Sequence, residues 1–176
     1  MRKLILYIAC SLDGKIAKPD GDLQWLESIP KPEESDYGYQ DLLDSVDTVL
    51  MGYKTFEIME GFDMEFPYKE KLNYVFTHDH EKPSNPYVKL ISGDIPEFVK
   101  NLKQSYGKDI WLIGGSQINT ILFNAELIDE MIIFVMPVVI GDGIPLFDRT
   151  PLEKGLHLVE SQSYSSGVVM LKYNFV

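Results

Sequence analysis

The chain has 176 residues, of which 45% are hydrophobic and 24% charged, and its formal net charge is −11. These values are typical of one globular domain over residues 1–176 and exclude a disordered or fibrous chain. The negative charge disfavours nucleic acid and anionic membranes as partners, because like charges repel. The single cysteine, Cys10, cannot form an internal disulfide, which fits a cytoplasmic location.

Strand and helix patterns alternate along the first half of the chain. The apolar run at residues 3–10 predicts a buried strand, and the Asp-Gly and Gly-Asp pairs of residues 11–21 predict a loop. The further elements predicted here are a short turn at 24–29, a helix over 33–45, a strand at 47–51 and a helix beginning within 55–59. We expect no membrane span, because no apolar run approaches the roughly 20 residues that a span needs.

The second half continues this alternation and ends in β-structure. The predicted elements are strands at 72–77, 88–91, 110–113 and 131–140, helices over 95–106 and around Ile118, and a hairpin joining 156–163 to 168–175. Alternating strands and helices are typical of a parallel sheet with helices on both faces, and the hairpin adds an antiparallel edge. The predicted fold class is therefore α/β, a three-layer α/β/α sandwich around a mostly parallel sheet.

Two of the predicted strands run directly into glycine and then into a helix. The segments are VLMGYKTFE at 49–57 and IWLIGGSQINTIL at 110–122. Helix N-termini present unpaired N–H groups that suit phosphate, and glycine lets the backbone approach a ligand closely. Each corner alone also fits a tight turn without a ligand, and Thr55 could cap its helix instead of binding phosphate. Together the two corners predict a site that grips one pyrophosphate, with Lys54 as a local positive charge.

These motifs resemble a known superfamily. The loop SLDGKIAKPDGDLQWL at 11–26 resembles the reductase domain of riboflavin biosynthesis, and VLMGYKTFE resembles a dihydrofolate reductase signature. LIGGSQI matches the cofactor turn common to both, and residues 127–147 are similar to a stretch of the riboflavin-type reductases. The chain therefore resembles the dihydrofolate reductase-like superfamily over residues 4–147, and is closest to the riboflavin-biosynthesis branch.

The resemblance implies an eight-stranded mixed sheet with NADPH, or NADH as the alternative, across the C-terminal ends of its strands. The residues that it assigns to the cofactor are Ala9, Ile16, Gly52, Tyr53, Lys54, Thr55, Thr77, His78, Gly114, Gly115, Ser116, Gln117 and Ile118. In this arrangement Ala9 and Ile16 flank the nicotinamide, and a cis peptide joins Gly114 to Gly115.

Three residues are candidates for contact with the substrate. Asp13 lies in the first loop, where it could equally form a plain turn, and Trp25 could stack on a substrate or anchor the loop to the core. Asp36 matches the acidic residue of dihydrofolate reductases in its spacing before Gly52. It is therefore either a substrate-orienting carboxylate and proton source, which needs burial and a raised pKa, or a solvated acid that favours the helix dipole.

Two departures from the family pattern bear on specificity. Tyr53 stands where the family usually has an arginine that pairs with the 2′-phosphate of NADPH, so we expect weaker discrimination between NADPH and NADH than the family norm. The hydroxyl-bearing position that helps dihydrofolate reductases hold the pterin falls near Ile133, which disfavours folate as the substrate.

The function that the resemblance implies is hydride transfer from NADPH to a heterocycle, as in 5-amino-6-(5-phosphoribosylamino)uracil reductase. The alternatives are a dihydrofolate reductase and a nucleotide-binding protein without turnover. The sequence has no His-x-Glu…Pro-Cys-x-x-Cys pattern, so a zinc deaminase is excluded. The three histidines, His78, His80 and His157, predict no metal site. Relatives of this type are often homodimers, and the strand at 131–140 suits either an interface or a central core position.

Overall fold

The computed structural model describes residues 1–32, 35–62, 64–79 and 81–175. Its strands are β1 (Leu4–Ser11), β2 (Lys15–Ala17), β3 (Val46–Gly52), β4 (Leu72–Phe76), β5 (Val88–Ile91), β6 (Asp109–Gly114), β7 (Glu130–Met136), β8 (Ile144–Pro145), β9 (Leu156–Ser163) and β10 (Val169–Phe175). Its helices are α1 (Gln24–Glu27), α2 (Tyr39–Ser45), α3 (Tyr53–Glu60), α4 (Ile95–Gln104) and α5 (Ser116–Asn124).

Eight of the strands form one mixed sheet in the order β5-β4-β3-β6-β1-β7-β10-β9. The pairs from β5 through to β7 are parallel, and β10 pairs antiparallel with both β7 and β9. The predicted α/β class, the parallel sheet and the antiparallel C-terminal hairpin are therefore confirmed. The strand β7, formed from the predicted run at 131–140, is internal to the sheet, so it is a core strand and not a free edge.

The sheet has helices on both faces because its buried strands alternate their side chains. Leu4 and Leu6 of β1 pack in a cluster with residues of α4 and α5, whereas Ile5 between them packs in a second cluster with residues of α2 and α3. A strand whose successive side chains are all apolar can supply a core on each side. The parallel strands consequently end together at one edge, which is where ligands bind in open α/β sheets.

The helix predicted over 33–45 is wrong at its start. Glu33 and Glu34 lie outside the described residues, and the helix begins only at Tyr39. Tyr37 and Gly38 have φ angles of 64° and 77°, which are incompatible with a right-handed helix. The apolar spacing that predicted the helix contains no indication of this left-handed turn.

Two further boundaries differ from the prediction. The strand predicted over 131–140 ends at Met136, because Pro137 lacks the N–H that would continue the ladder. The predicted loop at 11–21 contains β2, which pairs with β8 in a separate two-stranded sheet. This small sheet fixes the first loop against the segment that precedes Leu146, and so shapes the entrance to the cavity described below.

Candidate active site

A cavity of about 1100 Å³ lies at the carboxyl edge of the parallel strands. Of the residues that the resemblance assigns to a cofactor, those that line this cavity are Ala9, Ile16, Gly52, Tyr53, Lys54, Thr55, Thr77, His78, Gly115, Ser116, Gln117 and Ile118. Gly114 forms the corner behind them and is not part of the lining. The fold therefore gathers residues from five separate segments of the chain around one space.

The two glycine corners face each other across neighbouring strands. Strands β3 and β6 pair in parallel, and Gly114–Gly115 is a cis peptide, as the resemblance implied. A Cβ added to Gly52 would lie 3.2 Å from Cγ1 of Ile118, and one added to Gly115 would lie 3.3 Å from Oγ1 of Thr55. Side chains at these corners would thus fill the space between the first turns of α3 and α5, where unpaired N–H groups can bind an anion.

Thr55 is the third residue of α3, and the N-cap is Gly52. The interpretation of Thr55 as a helix cap is therefore wrong. Its hydroxyl lies on the wall of the cavity beside Gly115 instead. A hydroxyl at this position can donate a hydrogen bond to a phosphate oxygen.

Ser116, the first residue of α5, gives independent evidence for a ligand at the corner. Its side chain is 8% exposed and lines the cavity, and its Oγ has no hydrogen-bond partner among the described residues. A buried hydroxyl without a partner costs about 1–3 kcal/mol, so such groups are rare unless a ligand or water completes them. The chemistry of this corner fits a phosphate oxygen.

Tyr53 makes a different contact from the arginine that the family pattern would place there. Its hydroxyl donates a hydrogen bond of 2.8 Å to the carbonyl of Pro83, and the ammonium of Lys82 lies 4.1 Å from the centroid of its ring. Lys82, in the segment between β4 and β5, also lines the cavity. Lys82 was not predicted from the sequence, because its proximity to Tyr53 depends on how the loop after β4 folds back.

Asp13 lies outside the cavity and holds the first loop in place. Its carboxylate accepts hydrogen bonds from Oγ of Ser11 at 2.6 Å and from the backbone N–H groups of Ile140 and Gly141. These bonds, that from Ser11 most of all, lower the pKa of Asp13 to about 2. Asp13 thereby fixes the backbone of the first loop, which carries Ile16 in the cavity wall. Asp13 itself is not among the residues that line the cavity.

Trp25 and Asp36 also lie outside the cavity lining. Trp25 is 6% exposed and packs with Phe134 and Met136, which favours the interpretation that it anchors the first loop. Asp36 is exposed, and its carboxylate accepts hydrogen bonds from the backbone N–H groups of Gln40 and Gly38. The bond from Gln40 contributes most to lowering its pKa, whereas a proton source needs a raised one. The contacts favour an acid at the helix start, and a catalytic role for Asp36 stays a prediction.

Four aromatic side chains in the cavity wall form a cluster that was not predicted from the sequence. Its members, which we call the aromatic cluster, are Tyr7, Tyr39, Tyr68 and Trp111. The rings of Tyr68 and Trp111 lie 5.1 Å apart, and those of Tyr39 and Trp111 lie 5.9 Å apart. The sequence feature that could have indicated this cluster is one aromatic residue inside each of two apolar strands, a tyrosine in β1 and a tryptophan in β6.

Metal sites and membrane spans were also considered. Among the described residues, no group of three or more His, Cys, Asp or Glu side chains could hold a metal ion. His80 lies outside the described residues. Within the same ranges, no helix has the length and apolar character needed to cross a membrane.

The sheet, the cavity at its carboxyl edge and the two glycine corners define a protein with the dihydrofolate reductase-like fold. Dihydrofolate reductase of Enterococcus faecalis, solved with NADP(H) and RAB-propyl, has a TM-score of 0.65 at 16% identity, over 98% of this chain and 96% of that chain. The chain belongs to the family of the RibD C-terminal domain, whose model matches residues 2–170.

Other comparisons give further relatives and structural neighbours. The chain is 40% identical over 167 residues to the uncharacterized protein YwjB of Bacillus subtilis strain 168, covering 95% of each. A structure described as that of a candidate riboflavin biosynthesis protein from Shewanella sp. PV-4 has a TM-score of 0.88 at 29% identity over 99% of both chains. A Thermotoga maritima diaminohydroxyphosphoribosylaminopyrimidine deaminase/5-amino-6-(5-phosphoribosylamino)uracil reductase gives a TM-score of 0.72 at 18% identity, covering 99% of this chain and 57% of that chain.

Proposed function

We propose that this chain is a reductase that uses NADPH, and less efficiently NADH, to reduce a heterocyclic substrate. The observation that carries the proposal is the pair of glycine corners, where Ser116 lines the cavity at the start of α5 and its buried hydroxyl has no partner among the described residues. The cofactor would supply the hydride. The chain would supply the binding site and the alignment of the two reactants.

The proposed roles follow the order of the strands. Gly52, Thr55 and Ser116 would hold the pyrophosphate with the first turns of α3 and α5. Thr77, which follows β4, would lie beside the adenosine, and Ala9 on β1 would lie beside the nicotinamide. Strands β4 and β1 are separated by β3 and β6, a span of about 14 Å at the usual strand spacing. That span suits an extended dinucleotide lying across the strand ends.

The proposed substrate is of the ribosylaminopyrimidine type, because the family is that of the RibD C-terminal domain. A dihydrofolate reductase is the second candidate. The described contacts of Asp36 weaken it, since that carboxylate is exposed and bonded to its own backbone segment. A nucleotide-binding protein without turnover is the third candidate, and Tyr53 in place of arginine is the feature that favours it.

One set of titrations tests the proposal. We expect the fluorescence of NADPH to change on binding, and its absorbance at the reduced nicotinamide band to fall when an aminopyrimidine substrate is added. Oxidation with dihydrofolate that an antifolate blocks would support the second candidate. Binding without oxidation by either substrate would support the third, and absence of any cofactor binding would contradict all three.

Oligomeric state and location are part of the proposal. A homodimer is expected in the cytoplasm, and sedimentation of the purified chain measures the oligomeric state directly. The internal position of β7 means that an interface would have to involve other parts of the surface.

A further inference from the structure

The segment that follows β8 is fastened along helix α5 by polar side chains. We call this segment, residues 146–152, the α5 strap. Three side chains of α5, those of Asn119, Thr120 and Asn124, form hydrogen bonds of 2.7–2.9 Å to its backbone at residues 146, 148, 150 and 152. Asn119 and Thr120 are buried, so these bonds satisfy polar atoms that solvent does not reach. The strap therefore follows a fixed path beside α5.

Thr120 links this strap to the first residue of α5. Its Oγ1 accepts a hydrogen bond from the N–H of Asp148 at 2.7 Å and donates one to the carbonyl of Ser116 at 2.9 Å. One hydroxyl thus joins the backbone of the strap to that of Ser116, whose own Oγ is buried without a partner among the described residues. Asp148 and Arg149 both line the cavity. The strap consequently brings an arginine to the cavity wall on the α5 side.

Arg149 is the arginine that stays available to a ligand. The sequence has two arginines, and the other, Arg2, is 5% exposed and forms an ion pair with Asp47 at the amino end of β3. Arg149 is exposed, and no carboxylate among the described residues forms an ion pair with it. A guanidinium presents a planar set of N–H donors that can bind two phosphate oxygens at once.

The charge of the cavity lining differs from that of the whole chain, which is −11. The lysines and arginine of the described lining are Lys54, Lys82 and Arg149, and its carboxylates are Asp79 and Asp148. An acidic protein repels a phosphorylated ligand at long range, so the site needs cations of its own. Lys54 lies on α3 and Lys82 lies between β4 and β5, whereas the backbone that carries Arg149 is attached to α5.

From this attachment, we infer that Arg149 binds the pyrophosphate of the dinucleotide at the glycine corner where α5 begins. The inference rests on the proposed function, which places a dinucleotide in this cavity. The guanidinium would donate to pyrophosphate oxygens together with Oγ of Ser116 and the N–H groups of the first turn of α5. Thr120 would be a positioning residue, since it holds the strap and is not among the lining residues. NADPH and NADH share the pyrophosphate, so this contact strengthens the binding of both.

Fluorescence titration of the whole protein with NADPH and with NADH tests the inference. We expect Arg149→Met to raise both Kd values by the same factor, about tenfold or more, at an unchanged melting temperature. The matched control is Lys100→Met, which removes the same charge from an exposed position of α4 outside the cavity lining and should change neither Kd. An unchanged Kd in Arg149→Met, a rise for NADPH alone, or an equal rise in Lys100→Met would overturn the inference.

A double-mutant cycle tests the positioning role of Thr120. Thr120→Val removes the hydroxyl that bonds the strap, so both Kd values should rise, whereas Thr120→Ser keeps a hydroxyl and should bind as the native protein does. Combined with Arg149→Met, Thr120→Val should add little, because the two changes act through one contact. Fully additive effects would show that Thr120 does not act through Arg149.

Failure of the proposed function gives a different result. A native protein that binds both cofactors but oxidises neither would contradict the proposed function, and the Kd values of Arg149→Met would still decide the role of this arginine. A native protein that binds neither cofactor would contradict the proposed function and the inference together.

Discussion

The carboxylate of Asp13 holds the backbone of Gly141, whose N–H donates a hydrogen bond of 2.8 Å to Oδ2. The neighbouring Ile140 N–H donates to Oδ1 at 3.0 Å, so one side chain fastens the first loop to the turn before β8. The pairing of β2 with β8 continues the same attachment and places Ile16 in the cavity wall. Asp13 therefore acts on the site by positioning the loop.

This attachment should make stability depend on pH in acid. Folding lowers the pKa of Asp13 from 3.8 to about 2, so its contribution is fully present above pH 3.8 and is lost as the pH falls through 2. In Asp13→Asn an amide N–H₂ can face the N–H of Gly141, and that hydrogen bond is lost. We expect the variant to melt at a lower temperature than the native protein at pH 6, and the difference to disappear near pH 2, as measured by thermal unfolding.

The control for this prediction is Asp142→Asn, an exposed aspartate in the same turn. It should show no comparable difference in melting temperature at pH 6. An Asp13→Asn difference that persisted unchanged below about pH 2 would contradict the proposed role of the ionised carboxylate.

Strand positions were predictable wherever the chain has an uninterrupted apolar run. Strands β1 and β6 each differ from their predicted bounds by one residue at each end. Such runs are buried on both faces, and few other structures accommodate them. The start of α2 was not predictable in the same way, because the positive φ angle of Tyr37 depends on tertiary contacts of its ring with Phe134 and Tyr164.

The candidate site was also predictable only where its residues lie close together in the sequence. The glycine corners were predictable, because each lies within one short segment that contains the strand end and the helix start. The aromatic cluster was not, since Tyr7 and Trp111 are 104 positions apart and become neighbours only through the pairing of β1 with β6. Lys82 was missed for the same reason, because its contact with Tyr53 depends on a loop.

Removal of the unpartnered hydroxyl of Ser116 should weaken cofactor binding without destabilising the protein. Ser116→Ala deletes an Oγ that has no partner among the described residues, so we expect an unchanged or slightly higher melting temperature. The Kd for NADPH should rise by about tenfold to a hundredfold, because one hydrogen bond to a charged group contributes about 1.5–3 kcal/mol. Fluorescence titration measures the Kd, and Ser161→Ala on the exposed strand β9 is the control. An unchanged Kd would show that the hydroxyl of Ser116 does not bind the pyrophosphate.

Tyr53 replaces the arginine of the family pattern, so Lys82 should determine much of the preference for NADPH over NADH. Its ammonium lies over the ring of Tyr53 in the cavity wall, where it can replace the missing arginine as a partner for the 2′-phosphate. We expect Lys82→Met to lower kcat/KM for NADPH by about tenfold and to leave the value for NADH unchanged.

The matched control is Lys89→Met, which removes a lysine whose ammonium lies 6.0 Å from the centroid of the Tyr74 ring, outside the cavity lining. It should change neither value of kcat/KM. Because Tyr53 carries no charge, the native preference should stay well below about a thousandfold. A larger preference that survived Lys82→Met would place the recognition of the 2′-phosphate elsewhere.

Asp36→Asn separates the two roles considered for that residue. The carboxylate is exposed and its pKa is lowered, chiefly by the hydrogen bond from the N–H of Gln40, so it is ionised at neutral pH, whereas a general acid needs a raised pKa. We expect kcat to change by less than about twofold, because a general acid contributes about 100-fold or more and Asp36 lacks the burial that this role requires. The pH profile of kcat should likewise be the same in both proteins. A 100-fold loss of turnover at an unchanged melting temperature would instead indicate that Asp36 takes part in the reaction. That result would favour the dihydrofolate reductase alternative.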